Sequence, residues 1–253
     1  MDQSLEICRR IDFKQACGVA LSSQGDLLSW EGKLDQARDK YEEALALRKE
    51  MGAAIDVAES QVSIAELSIE AEHSRDTANA VREAMEVFRK QKLIEDEIWA
   101  NAVLARALLA QGKSADAGKE LDAAMGRGAK IQNEEARLKL ALTAASIRAA
   151  SGRRADHAGA SNSLEAVLAQ AKKHGFVGYQ LEARLALGEI EMKSGHIAAG
   201  RARLTALEND ARAKGFLLIA RKAAAVSKGS AGNQPQHLRT LTRLSKVARL
   251  LMT

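Results

Sequence analysis

The stretch LSSQGDLLSWEGKLDQARDKYEEALAL, residues 21–47, reads as two helices folded back on each other about a turn at Glu31–Gly32. After the turn, Leu34, Ala37, Tyr41, Ala44 and Leu45 keep the helical period. Gly25 before the turn and Ala37 after it are small residues twelve positions apart. A missing side chain on one helix lets the other pack closely against it, so such a pair marks a helical hairpin.

The same pattern recurs along the chain. Ser68 pairs with Ala80, Ala105 with Ala117 and Gly188 with Gly200, each twelve apart; Ala145 and Ala160 are three residues wider. Successive first members lie 43, 37, 40 and 43 residues apart, and Gly32, Gly112, Gly152 and Gly195 mark four of the five turns. A period of this size means a solenoid, in which each unit packs only on its neighbours. The expected helices are Phe13–Trp30 with Leu34–Met51, Ala53–His73 with Asp76–Gln91, and Glu95–Gln111 with Ser114–Lys130. Asn133–Ser151 pairs with a less regular helix ending near His174, weak over residues 158–163, and Phe176–Ser194 pairs with His196–Lys214. Phe216–Val226 is expected as a closing half-repeat. In the second hairpin the expected core holds Val57, Ile64, Leu67, Ala71, Ala80, Ala84, Val87 and Phe88. Its turn, 73–76, lacks glycine, so Ser74 or Asp76 is expected to cap its second helix, and Ser114 to cap the second helix of the third hairpin. The first ten residues read as the tail of a helix whose partner lies upstream.

Composition agrees with an all-α chain. Of 253 residues one is proline and 3% are aromatic, while residues that lose little entropy in a helix dominate. The net charge of +5 arises from 38 basic and 33 acidic residues, a mixed surface that makes nucleic acid an unlikely partner. Much of the excess lies between Arg201 and Lys228, with seven basic residues against two acids. Cys8 and Cys17 read as two small buried apolar side chains, not as a disulfide framework, which makes a reducing cytoplasm the default. MDQSLEICRRID is no signal peptide, and no apolar run approaches the roughly 18 residues needed to span a bilayer.

Read outward from the turn glycine, Gly25, Gly32, Leu34, Ala37, Tyr41 and Ala44 resemble a tetratricopeptide repeat. So do Leu104, Ala105, Leu108, Gly112, Ala117, Leu121 and Ala124, and again Leu187, Gly188, Gly195, Ile197, Gly200, Leu204 and Leu207. The second unit departs from the pattern, with Arg75 at the expected glycine, and the fourth carries the three-residue insertion. Units exceed the family's repeat of about 34 residues and lack its closing proline. The resemblance covers roughly residues 12–227. It implies a right-handed α-solenoid of about five hairpins with partial terminal helices. KYEEALALRKEMG, LARALLAQGK and ARLALGEIEMKSG further resemble the C-terminal repeat regions of bacterial serine/threonine kinases and winged-helix signalling regulators.

Catalytic patterns fail on context. Ala107 to Ser114 fits a loose phosphate-binding loop, but a helical run precedes Gly112, Lys113 and Ser114 where a strand is required. Met125-Gly126-Arg127-Gly128 begins a dinucleotide fingerprint whose third glycine falls on Ile131. His73, His157, His174, His196 and His237 include no ligand pair on one helix, and adjacent acids such as Glu42–Glu43 and Glu134–Glu135 point about 100° apart. The chain is therefore expected not to be an enzyme, with no cofactor and no metal.

In the tetratricopeptide family the first helices line a concave groove that holds a peptide. Carried over, this selects Val19, Ser22, Asp26 and Ser29; Val62, Ala65, Ile69 and Glu72; Trp99, Ala102, Arg106 and Leu109; Lys139, Leu142, Ser146 and Ala149; and Glu182, Leu185, Glu189 and Met192. Asp26, Ser29, Val62, Ile69, Trp99, Arg106, Leu109, Lys139, Glu189 and Met192 are the candidate partner-binding residues. Trp99 and Arg106 lead, because Trp and Arg dominate interface hot spots; packing between units is the equal alternative for Trp99. The resemblance implies a scaffold, the regulatory region of a bacterial signalling protein, binding a protein or peptide, with end-to-end dimers conceivable. The alternative is the detached regulatory part of a kinase or transcriptional regulator that binds nucleotide, through Lys113 and Ser114, or nucleic acid. Residues 1–227 would form the solenoid and 228–236 a linker, with 237–253 a basic amphipathic helix or tail. In that tail Leu238, Leu241, Leu244, Val247, Leu250 and Leu251 form an apolar stripe, outside which lie Arg239, Arg243, Lys246 and Arg249.

Overall fold

The computed structural model describes residues 2–71, 77–128, 131–150 and 154–229. Twelve α-helices follow one another among the described residues, with no strand: α1 (Asp2–Arg10), α2 (Lys14–Trp30), α3 (Leu34–Glu50), α4 (Ala54–Glu70), α5 (Thr77–Lys90), α6 (Ile94–Ala110), α7 (Ser114–Gly128), α8 (Glu134–Ala150), α9 (Arg154–Lys173), α10 (Val177–Lys193), α11 (Ile197–Ala213) and α12 (Leu217–Ser227). Each helix packs on the next in chain order, and α4, α6, α8, α10 and α12 also touch at one remove. The even-numbered helices thus form the inner layer and the odd-numbered ones the outer layer of a right-handed solenoid of hairpins. Most of the expected linker and all of the basic segment 237–253 lie outside the described residues.

The small residues act as notches. A Cβ added at Gly25 would lie 2.7 Å from the Tyr41 ring, and one at Gly188 would lie 2.7 Å from Leu204. Ala37, Ala105, Ala117, Ala145 and Ala160 are fully buried at the matching places.

The second unit has a different register from the expected one. In α5 the buried residues Thr77, Val81, Ala84 and Phe88 stand 40 positions after the buried Ala37, Tyr41, Ala44 and Arg48 of α3. The notch pair is therefore Ala65 with Thr77, and the first members Gly25, Ala65, Ala105 and Ala145 repeat every 40 residues. Ser68 and Ala80 are not that pair. Ala80 is half-buried, and the Ser68 hydroxyl donates to the Ile64 carbonyl at 2.8 Å and accepts from Arg38 at 3.1 Å. The residue at the turn-glycine place becomes Glu72 instead of Arg75. Both, with the candidate caps Ser74 and Asp76, lie outside the described residues. Ser114 opens α7 as its first helical residue.

In the fourth unit α9 runs unbroken through 158–163, where a weak stretch was expected, and absorbs the insertion as extra helix. Ser163 there donates to the Gly159 carbonyl at 3.0 Å. The turns share one geometry. Gly32 and Gly112 have positive φ, and the next amide reaches back into the helix: Lys33 N to Leu28 O at 2.8 Å, Lys113 N to Leu108 O at 2.9 Å. Lys92, at φ 59°, takes the place that Gly52 holds one unit earlier.

Two contacts were not foreseen. Cys8 of α1 and Cys17 of α2 are buried but joined in a disulfide, with Cα atoms 5.5 Å apart, where two separate side chains in a reducing compartment were expected. The tight turn at Ile11–Phe13 folds α1 back on α2 and brings the two sulfurs face to face. Disulfides persist where thiols are not kept reduced. At the other end, α12 reaches the first hairpin. The Phe216 and Trp30 rings lie 5.3 Å apart, the Arg221 guanidinium donates to the Glu31 carbonyl at 3.2 Å, and Lys222 pairs with Glu70 of α4 at 2.5 Å. The superhelix curls until its last inner helix meets its first.

Candidate binding surface

Corrected register aligns the inner helices in two sets. One is Val19, Glu59, Trp99, Lys139, Glu182 and Lys222; the other is Asp26, Glu66, Arg106, Ser146 and Glu189. Glu59 and Glu66 were missed because the second unit was read three residues out of step, which selected Ala65 and Glu72 in their stead. The signal that finds them is the 40-residue spacing anchored on the Tyr41–Val81–Leu121 positions.

Closure buries most of the inner face. Arg106 forms an ion pair with Glu66 on the neighbouring inner helix, both almost wholly buried. Glu182 is fully buried among Lys222, Arg106, Lys139 and Glu66, and burial holds its carboxyl well above the usual carboxylate range. Tyr179, one turn away, is raised as well, first by burial and then by the charge of Glu135. Charges from α4, α6, α8, α10 and α12 thus meet along the axis. Ion pairs so removed from water lose solvation that their mutual attraction must restore.

Of the ten candidate residues, eight are buried. Asp26 accepts a 2.5 Å hydrogen bond from the Tyr41 hydroxyl and so faces its own hairpin. Ser29 is fully buried, and Val62, Ile69 and Leu109 belong to the main apolar core. Arg106 and Lys139 lie in the buried charge cluster around Glu182, and Glu189 is buried as well. Met192 is half-buried against the notch at Gly200. Trp99 is also half-buried, with the Lys139 ammonium 4.7 Å from the centre of its ring.

Trp99 lines a cavity of about 270 Å³ at one mouth of the axis. Ile98, Ala102, Ile131 and Leu140 make its apolar wall, Glu59, Glu95 and Asp96 its acidic rim, and Lys139 its one cation. Asn133 fixes the far edge: its side chain caps α8 by accepting from the amides of Glu135 and Ala136, and its own amide donates to Glu95 at 3.3 Å. Asp96 is held above the ordinary aspartate range by burial and then by the charge of Glu95. An aromatic floor beneath carboxylates suits a cationic side chain with an apolar stem.

No family model matches the chain, and no curated protein matches it. Solved structures do. One is a crystal structure of a Rap protein complexed with competence and sporulation factor, superposing with a TM-score of 0.68 at 15% sequence identity. The fold resembles that of a Rap protein. The match covers 94% of this chain and 65% of that one, so the chain spans about two thirds of the neighbour's length. At this identity the likeness bears on the fold, and it accords with tetratricopeptide-like helical repeats.

The loose phosphate loop is a repeat turn. Gly112 N donates to Leu109 O at 3.0 Å and Lys113 N to Leu108 O at 2.9 Å, so the amides that would cradle a phosphate are spent inside α6. His174 stacks beside Phe176, and the His157 ring lies 3.4 Å from the Ser194 hydroxyl. Among the described residues no group of three or more His, Cys, Asp or Glu is placed to hold a metal ion, and no helix is long and apolar enough to cross a membrane. The end of the array leaves Ile7, Ile11, Phe13 and Val19 exposed.

Proposed function

We propose that the chain is a partner-binding repeat scaffold, the regulatory region of a signalling protein, that recognises a protein or peptide segment at the Trp99 cavity. The observation that carries this reading is the cavity itself. It is an aromatic, acid-rimmed opening on an inner face where the chain's own ion pairs, Arg106–Glu66 and Lys222–Glu70, are buried. Hot spots favour such sites, where one large ring is held in place and partly screened from water. The fold supports the reading further, since the Rap neighbour was solved with a bound factor. We assign no reaction to the site. Burial narrows the surface expected from sequence: Trp99, Lys139 and the rim act as the contact, while Arg106 and Glu189 are buried away from the cavity lining.

Affinity capture from a bacterial lysate tests the proposal, using the intact chain, Trp99→Ala, Asp96→Asn, and Gly118→Ala on the outer layer as control. A partner retained by the intact chain and by Gly118→Ala, but lost by Trp99→Ala and weakened by Asp96→Asn, is the expected result. Equal capture by all four would remove the Trp99 cavity from the function.

A further inference from the structure

The chain carries a segment with the chemistry this cavity suits. Residues 237–253 hold Arg239, Arg243, Lys246 and Arg249 and no acid, beside an apolar stripe of five leucines and Val247. The cavity offers three carboxylates against one ammonium, over an apolar wall. Exposed apolar residues at Ile7, Ile11 and Phe13 lie instead in a stretch of mixed charge, with Arg9 and Lys14 already paired to Glu43 and Glu50, so it offers no comparable acidic rim to a basic segment. Reach is sufficient to pass from one mouth of the axis to the other. Inner helix α6 has 17 residues and is about 25 Å long, while the eight steps from Gly229 to His237 extend up to roughly 28 Å.

We propose that residues 237–253 dock across the Trp99 cavity of their own chain, cations on the Glu59–Glu95–Asp96 rim and leucines toward Ile98 and Trp99, as a built-in occupant that a partner must displace. This rests on reading the Trp99 cavity as a recognition site. Tethering favours it, because a linker this short turns docking into an intramolecular event at high effective concentration. A partner segment would then need more than the tail's own charge and apolar contact to bind.

The test uses the full chain with Trp30→Phe, which leaves Trp99 as the single tryptophan emitter. Acrylamide quenching of Trp99 is compared with and without replacement of Arg239, Arg243, Lys246 and Arg249 by glutamate. These changes lie beyond the last described helix in sequence. Quenching is expected to rise roughly two-fold, as each exposed pair lost shifts the docking equilibrium by a few-fold at most. Adding Glu95→Lys and Asp96→Lys to the reversed tail should restore protection. Protection should also be independent of protein concentration. Unchanged quenching on charge reversal overturns the proposal, as does protection that grows with concentration, which would place the tail on a second copy. Partner capture at Trp99 with unchanged quenching would sink self-docking alone; quenching that responds without any partner captured would sink only the scaffold reading.

Discussion

Alanine at Gly25 adds a single carbon where the structure has no space. Its Cβ would sit 2.7 Å, 2.9 Å and 3.0 Å from three carbons of the Tyr41 ring. The ring is rigid and cannot swing aside freely, because its hydroxyl is anchored on Asp26 at 2.5 Å and both residues are buried. Overpacking of this kind costs about 1–3 kcal/mol. Alanine also gains roughly 1 kcal/mol over glycine in a helix interior, so the net change in one variant alone is small and ambiguous in sign. Gly118 removes the ambiguity. It is a helical glycine in α7 whose added Cβ would meet nothing within 4 Å. The propensity gain is common to both variants, so the difference between them isolates the strain: Gly25→Ala should be less stable than Gly118→Ala by about 1–3 kcal/mol. Urea unfolding followed by helical circular dichroism measures this, with hydrogen exchange in α2 and α3 to localise the loss, since repeat arrays need not unfold in one step. Equal stabilisation by both alanines would refute the notch as the device that sets helices α2 and α3 together.

Three further outcomes follow from the axis and the N-terminal hairpin. Arg106→Met should cost about 3–5 kcal/mol by leaving Glu66 buried without its guanidinium, and Arg106→Met with Glu66→Gln should recover much of that loss in a double-mutant cycle. Glu182 has its folded-state affinity for protons raised by burial, so the folded chain holds a proton that the unfolded chain releases above the ordinary glutamate value of 4.5. Its contribution is therefore complete at low pH and is lost as pH rises toward the folded value, by up to about 1.4 kcal/mol per pH unit. Glu182→Gln should flatten the fall in stability as pH rises above the ordinary glutamate range, and an unaltered slope would show that Glu182 does not cause it. Reducing Cys8–Cys17, which closes a loop of nine-residue separation, should release about 2–3 kcal/mol of local restraint; faster hydrogen exchange in α1, with α4 to α12 unchanged, is the readout.

The hairpins were legible because their signals are local. Gly32, Gly112 and Gly195 announce turns, and the apolar period around Tyr41, Leu121 and Leu204 announces the helix after each. The second unit was misread because α4 and α5 are rich in Ala, Ser and Glu, which offer several small pairs twelve apart. Only burial of Thr77, Val81 and Phe88 shows which pair nests. In the other units the positions chosen lie on the inner helices, yet their burial was invisible. Curvature accumulates from small rotations at every interface, and no single residue records that α12 returns to Trp30 and Glu31. The disulfide escaped for a related reason: a separation of nine positions between the cysteines says nothing until the turn at Asp12 brings α1 back along α2. Trp99 stood between two readings, packing and recognition, and the structure shows it half-buried, with one part of its surface packed and another lining a cavity.

Ring closure is the feature on which the buried axis and the Trp99 cavity both depend. Spin labels at Lys33→Cys and Ala225→Cys, with Cys8 and Cys17 left in their disulfide, measure it by pulsed dipolar spectroscopy in the full chain. Contact of Arg221 with Glu31 places the two labels within about 25 Å, since Ala225 lies one helical turn from Arg221. An uncurled array would set them about 40–50 Å apart, five inner-helix steps of 8–10 Å. A single short distance is the expected result, and a dominant population near the longer one would contradict the account.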